Sequence, residues 1–160
     1  MIDVLGQPQF DNLTKAACGS PRSRMHRNLH ARWEEPSQRF INAIEPSSYI
    51  RPHRHVCDPK TECLVAVRGR FGVLAFGQDG RVEEALIICS AAGGASIVQI
   101  EPQHWHTVVS LESGGILFEV KGGPFEPSKA KEFAPWAPAE GDPSATVYLD
   151  KLRLHVADLK

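Results

Sequence analysis

No apolar run in this 160-residue chain approaches the roughly 20 residues needed to carry a helix across a bilayer. Neither sign of charge is in excess. Lys and Arg number 18, Asp and Glu 19, and the formal net charge is −1. That balance argues against nucleic acid or an anionic membrane as a partner, because both select a basic surface. The four cysteines (Cys18, Cys57, Cys63, Cys89) contain no Cys-x-x-Cys pair, and reduced thiols are expected. Cys57 and Cys63 flank the region singled out below. The opening Met1-Ile2-Asp3-Val4 is acidic where a secretory signal is basic, and no apolar core follows it. The expectation is a cytoplasmic protein. Internal repeats, low-complexity tracts and any recognisable DNA-binding segment are also lacking.

Glycine and proline are plentiful, at 13 and 12 residues. They fall at intervals of about eight to twelve residues, the punctuation of an all-β chain. Hydrophobic residues at 42% and charged residues at 23% are enough to fill a core. Residues 1–35 read as an N-terminal helix and basic arm. Asp11-Asn12-Leu13-Thr14 caps a short helix, which ends at Gly19-Ser20-Pro21. Arg22 to His30 follows with neither helical nor strand periodicity, as a solvated arm or a polar strap laid across a pocket. Residues 36–126 carry about eight short β-like runs. These are Arg39–Ile44, Tyr49–His55, Glu62–Val67, Phe71–Phe76, Val82–Cys89, Ala95–Ile100, His104–Leu111 and Ile116–Val120, with Asp79-Gly80 as a hairpin signal. Residues 127–160 form an extension with apolar spacing compatible with a terminal helix, packed on the barrel or on a second subunit. The expected class is all-β, a small barrel or double-sheet jelly roll, which leaves few edges exposed.

The chemistry centres on Arg51-Pro52-His53-Arg54-His55 and the later Glu62. Alternate side chains of a strand share a face, so His53 and His55 point the same way and can reach one metal ion. His104-Trp105-His106 repeats the arrangement after Pro102. Three imidazoles and a carboxylate around a divalent ion leave open positions for substrate or water.

The order His-x-His, Glu62, Gly69 and a later proline and histidine resembles the two motifs of the cupin superfamily. More narrowly, Gln38–Ala43, Ser48–His55, Trp105–Val108, Phe118–Phe125 and Phe133–Pro138 resemble the WbuC family of cupin-fold metalloproteins, in consistent order. The resemblance implies a β-barrel with a metal near one mouth and a link to surface-polysaccharide synthesis. Departures from the general pattern are Ser47 in place of a glycine, six residues between His55 and Glu62, no glycine before His106, and Ser110 in place of an asparagine.

These readings converge on a cupin barrel holding Fe, Mn, Ni or Zn through His53, His55, His106 and Glu62, with His104 the alternative to Glu62. Arg24, Asn28, His30, Arg39, Arg51 and Lys121 are candidates to bind a small anionic ligand, since guanidinium groups suit phosphate or carboxylate. By strand alternation Arg51 and Tyr49 should face the cavity, with Glu119 or Tyr49 moving a proton. The leading function is a metal-dependent enzyme, an isomerase, epimerase or lyase, on a sugar or sugar phosphate. An Fe(II) dioxygenase and a non-catalytic ligand-binding or regulatory module are the alternatives. A homodimer is expected, and neither nucleic acid nor membrane is an expected partner.

Overall fold

Side-chain alternation along short strands decides the architecture. In the computed structural model, which describes residues 2–159, helix α1 (Gln7–Cys18) precedes ten strands, and helix α2 (Ala145–Ala157) follows them. The strands are β1 (Arg24–Asn28), β2 (Ser37–Ile44), β3 (His53–Arg54), β4 (Glu62–Arg68), β5 (Arg70–Phe76), β6 (Val82–Cys89), β7 (Ile97–Ile100), β8 (Trp105–Ser110), β9 (Gly115–Gly122) and β10 (Glu132–Phe133). They form two antiparallel five-stranded sheets, one ordered β1-β2-β9-β4-β7 and the other β10-β3-β8-β5-β6. The expected double-sheet jelly roll, with a helix at each end of the chain, is the observed fold.

Between the sheets, Leu64, Ala66, Phe71, Val73, Val108 and Leu117 belong to one apolar cluster. Their strand neighbours point outward, and a helix covers each outer face. Phe10 and Ala17 of α1 pack on Ile41, Ala43 and Ile116 of the first sheet. Leu149, Leu152 and Val156 of α2 pack with Leu74, Trp105 and Val109 of the second. β8 is consequently buried on both faces along its whole length. Gly72 in β5 admits α2 closely, for a Cβ there would lie 3.0 Å from both methyls of Val156.

Glycine conformation sets two of the turns. Gly69, between β4 and β5, and Gly80, in the β5–β6 hairpin, each have φ of 83°, a region costly for side-chain-bearing residues. The hairpin is the one marked by Asp79-Gly80.

Local differences from expectation have physical reasons. Helix α1 begins at Gln7, with Gly6 as its cap and a proline in its first turn. Asp11 lies inside it and pairs with Arg68 at 2.6 Å. The basic arm contains an edge strand, β1, paired with β2 from Arg24↔Ile44 to Asn28↔Phe40. The run from Tyr49 to His55 shrinks to two strand residues. Segments 1–35 and 127–160 each lend a strand to a sheet, β1 and β10. No helix among the described residues is long and apolar enough to cross a membrane.

Leu152 is 2% exposed beneath α2. Leu152→Ala should lower stability by about 2–5 kcal/mol, read as a reduced urea midpoint. An unchanged midpoint would show that α2 is not part of the cooperative core.

Candidate metal centre

Strand parity brings the conspicuous histidines inward. In and just after β3, His53 and His55 face the interior, while Arg54 between them pairs with Glu132 at 3.0 Å and stacks on Trp105. Antiparallel pairing sets His53 directly across from His106 of β8. Glu62 opens β4 beside Lys121 of β9. The result is a buried group, His53, His55, Glu62 and His106, whose ligand atoms all lie within 4.8 Å of one another.

Backbone carbonyls orient all three rings. His53 Nδ1 lies 3.0 Å from the Arg51 oxygen, His55 Nδ1 2.6 Å from the Ala130 oxygen and His106 Nδ1 2.9 Å from the His104 oxygen. A carbonyl only accepts, so each Nδ1 donates and each ring turns its Nε2 to the common centre. The Nε2 atoms of His53 and His55 are buried without a hydrogen-bond partner. His106 Nε2 sits 3.1 Å and His55 Nε2 3.6 Å from Glu62 Oε2. Imidazole nitrogens held that close to a buried carboxylate share a cation with it, a proton or a metal ion. An orphaned pair of nitrogens, a third nitrogen and a carboxylate oxygen fit a borderline divalent ion; the metal's identity is open.

The neighbouring charges are tightly knit. Lys121 Nζ donates to Glu62 Oε1 at 3.2 Å and to Glu119 Oε1 at 2.9 Å, and Asn42 Nδ2 donates to Glu119 Oε2 at 3.1 Å. Burial opposes ionisation of Glu62, but hydrogen bonds from Glu119 and His106, the His55 ring 3.6 Å away and the charge of Lys121 outweigh it and hold the carboxyl well below the usual range. Burial first, then the Glu62 charge, pushes Glu119 up to about 8. Burial also lowers His53 well below an ordinary histidine, aided by the positive charge of Lys131 and by His106.

Three of the four, His53, Glu62 and His106, line a cavity of about 730 Å³. Of the remaining candidates, Arg24, Asn28, His30, Arg51, Glu119 and Lys121 line it. Three expectations need correction. Tyr49 is on the outer side of the second sheet, in the cluster beneath α2, with its hydroxyl donating to the Pro138 oxygen at 2.9 Å. The chain before β3 is irregular, so strand parity does not extend back to residue 49. Arg39 points away from the cavity, since β2 turns Gln38, Phe40 and Asn42 inward, and it pairs with Glu35 at 2.6 Å. His104 precedes β8 in a turn, exposed, and contributes its carbonyl instead of its ring.

Sequence reasoning missed Asn42, Trp33 and Lys131, all in the cavity lining. Asn42 was readable from the parity of β2. Lys131 precedes the two-residue β10, which no periodicity announces.

The lowered His53 has a pH consequence. The unfolded residue titrates near 6.5, whereas the folded one takes its proton only at much lower pH. Below about pH 6.5 the unfolded state therefore binds the extra proton, and this group's contribution to the stability of the metal-free protein should fall with pH, by up to about 1.4 kcal/mol per unit. Glu119, pushed up to about 8, adds the opposite slope over the same interval. Urea unfolding of chelator-treated Glu119→Gln protein between about pH 7.5 and 5.5 therefore checks this; a flat profile in that variant would contradict a buried neutral ring.

Solved structures of similar fold share the double sheet. KdgF from Halomonas sp. aligns with a TM-score of 0.51 at 14% identity, over 68% of this chain and 86% of that one. CapF in complex with the inhibitor 3-isopropenyl-tropolone aligns at 0.53 and 15%, over 68% and 30%. The oxalate decarboxylase formate complex from Lactobacillus farciminis aligns at 0.51 and 18%, over 84% and 39%. The chain thus spans most of the first and less than half of the other two. All three are cupin-fold proteins, and the fold here is of that type. No curated protein matches by sequence. Residues 5–88, which run from α1 into β6 and hold three of the four clustered side chains, match the family model described as "Domain of unknown function (DUF6016)", and the chain belongs to that family.

Proposed function

We propose that the protein is a metal-dependent enzyme acting on a small anionic molecule of the sugar or sugar-phosphate class. The observation that carries this reading is the convergence of three carbonyl-oriented imidazoles and Glu62, with His53, His106 and Glu62 in the wall of a roomy cavity. His53, His55, His106 and Glu62 would hold the ion, which when bound supplies Lewis acidity toward a carbonyl or a water.

The chain's own residues supply the rest. Glu119 lies between Lys121 and Asn42 and is the group placed to take or give a proton inside the cavity. Lys121 ties Glu119 to Glu62 and keeps both carboxylates from repelling one another unshielded. Trp33, Phe40, Phe125 and Phe133 add flat apolar walls, which suit the faces of a sugar ring. The segments similar to the WbuC family support a place in surface-polysaccharide metabolism.

Elemental analysis of protein prepared without a His tag tests the reading. It should find about one divalent transition metal per chain, with His53→Ala and His106→Ala each lowering occupancy about tenfold or more while remaining folded by circular dichroism. No stoichiometric metal at neutral pH in the wild type would overturn it. Glu119→Gln should lower turnover about a hundredfold or more while metal occupancy is unchanged. Ligand binding without turnover in the wild type would instead place the protein among non-catalytic binding modules.

A further inference from the structure

The basic side chains lining the cavity divide by what neutralises them. Arg22 and Arg24 both pair with Glu140, at 3.0 and 2.6 Å. Lys121 is shared between Glu62 and Glu119. Arg51 and Lys131 have no carboxylate within 4.0 Å among the described residues. Five cations thus face three carboxylates in the lining, and the surplus positive charge sits on two residues.

Those two residues share a wall. Lys131 immediately precedes β10, which pairs with β3 through Glu132↔Arg54 and Phe133↔His53, and Arg51 lies just before β3. The Arg51 guanidinium stands 5.4 Å from the centre of the Phe133 ring. One of its nitrogens, Nη2, donates to the Ala134 oxygen at 2.7 Å, while its Nε is buried with no partner. A buried donor left unpaired is costly unless a ligand completes it. Lys131 is exposed toward the cavity. Arg24, by contrast, is saturated by Glu140, the Ser48 hydroxyl and the Tyr49 oxygen.

We propose that Arg51 and Lys131 form an anion subsite for the carboxylate or phosphate of the bound molecule, on the wall formed by β3 and β10. The planar fork of Arg51 supplies directional donors and Lys131 a mobile point charge. A ligand anchored there presents its uncharged oxygens toward the His–Glu cluster. The subsite also touches that cluster through the backbone, because the Ala130 oxygen beside Lys131 orients the His55 ring. This inference rests on the proposed reading of the cavity as a small-molecule site, but not on the metal.

The test titrates D-glucuronate, D-glucose 6-phosphate and D-glucose into tag-free protein, both metal-stripped and manganese-loaded, by calorimetry. The two anions should bind about tenfold or more tighter than glucose in both forms. Their relative strength tells carboxylate from phosphate. Lys131→Met should weaken the anions about fivefold or more, with glucose affinity, melting midpoint and metal uptake unchanged, and Arg51→Met should act likewise where it folds. Arg22→Met, whose partner is Glu140, should change anion affinity less than about twofold. The subsite is overturned if neither anion binds at millimolar concentration, if glucose binds as tightly, or if Arg22→Met is as damaging as Lys131→Met. Anion preference kept alongside absent metal uptake would support the subsite while removing the enzyme proposal.

Discussion

Three hydrogen bonds from imidazole Nδ1 atoms to main-chain oxygens are the constraint on which the rest depends. They fix the aim of each ring, so that the Nε2 atoms meet beside Glu62. The acceptors belong to Arg51, Ala130 and His104, in three separate segments. The geometry therefore exists only when β3, β8 and the tail leading to β10 are assembled. Buried imidazoles with lone pairs turned toward a carboxylate are an unstable arrangement for folding alone, which is the usual mark of a site kept for what it binds.

The two-sheet architecture makes that arrangement affordable to the fold. One part of the interior between the sheets is filled by Leu64, Phe71, Val73, Val108 and Leu117. Further along the same strands the inward positions become Glu62, His106, Glu119 and Lys121. Helices α1 and α2 bury the outer faces independently of the cavity, so apolar packing remote from the site supports the polar cluster. Within the cavity, Lys121 links the two carboxylates, Glu140 occupies Arg22 and Arg24, and the β3–β10 wall keeps its positive charge unspent.

Much of this was legible because strand parity is a short-range property. Parity about Arg54 gave the inward His53 and His55, the run after Trp105 gave His106, and punctuation by glycine and proline gave the strand series and the Asp79-Gly80 hairpin. Glu62 was legible despite the longer spacing from His55, because the extra residues are taken up in the loop before β4. Parity misled at Tyr49, where the irregular approach to β3 places the neighbouring Ile50 and Arg51 in the cavity and Tyr49 under α2. Arg39 was chosen for its charge, and the alternation of β2 sends it outward. Lys131 and the strand nature of Arg24–Asn28 were hidden for a common reason: edge strands this short carry no periodic signal, and their placement is fixed by pairing with distant residues.

X-ray absorption at the metal edge of the loaded protein tests the central claim most directly. The account predicts about three imidazole nitrogens, identified by their multiple scattering, with one or more oxygens at roughly 2.0–2.2 Å. A shell of water oxygens without imidazole, or one containing the sulfur of a cysteine, would contradict it.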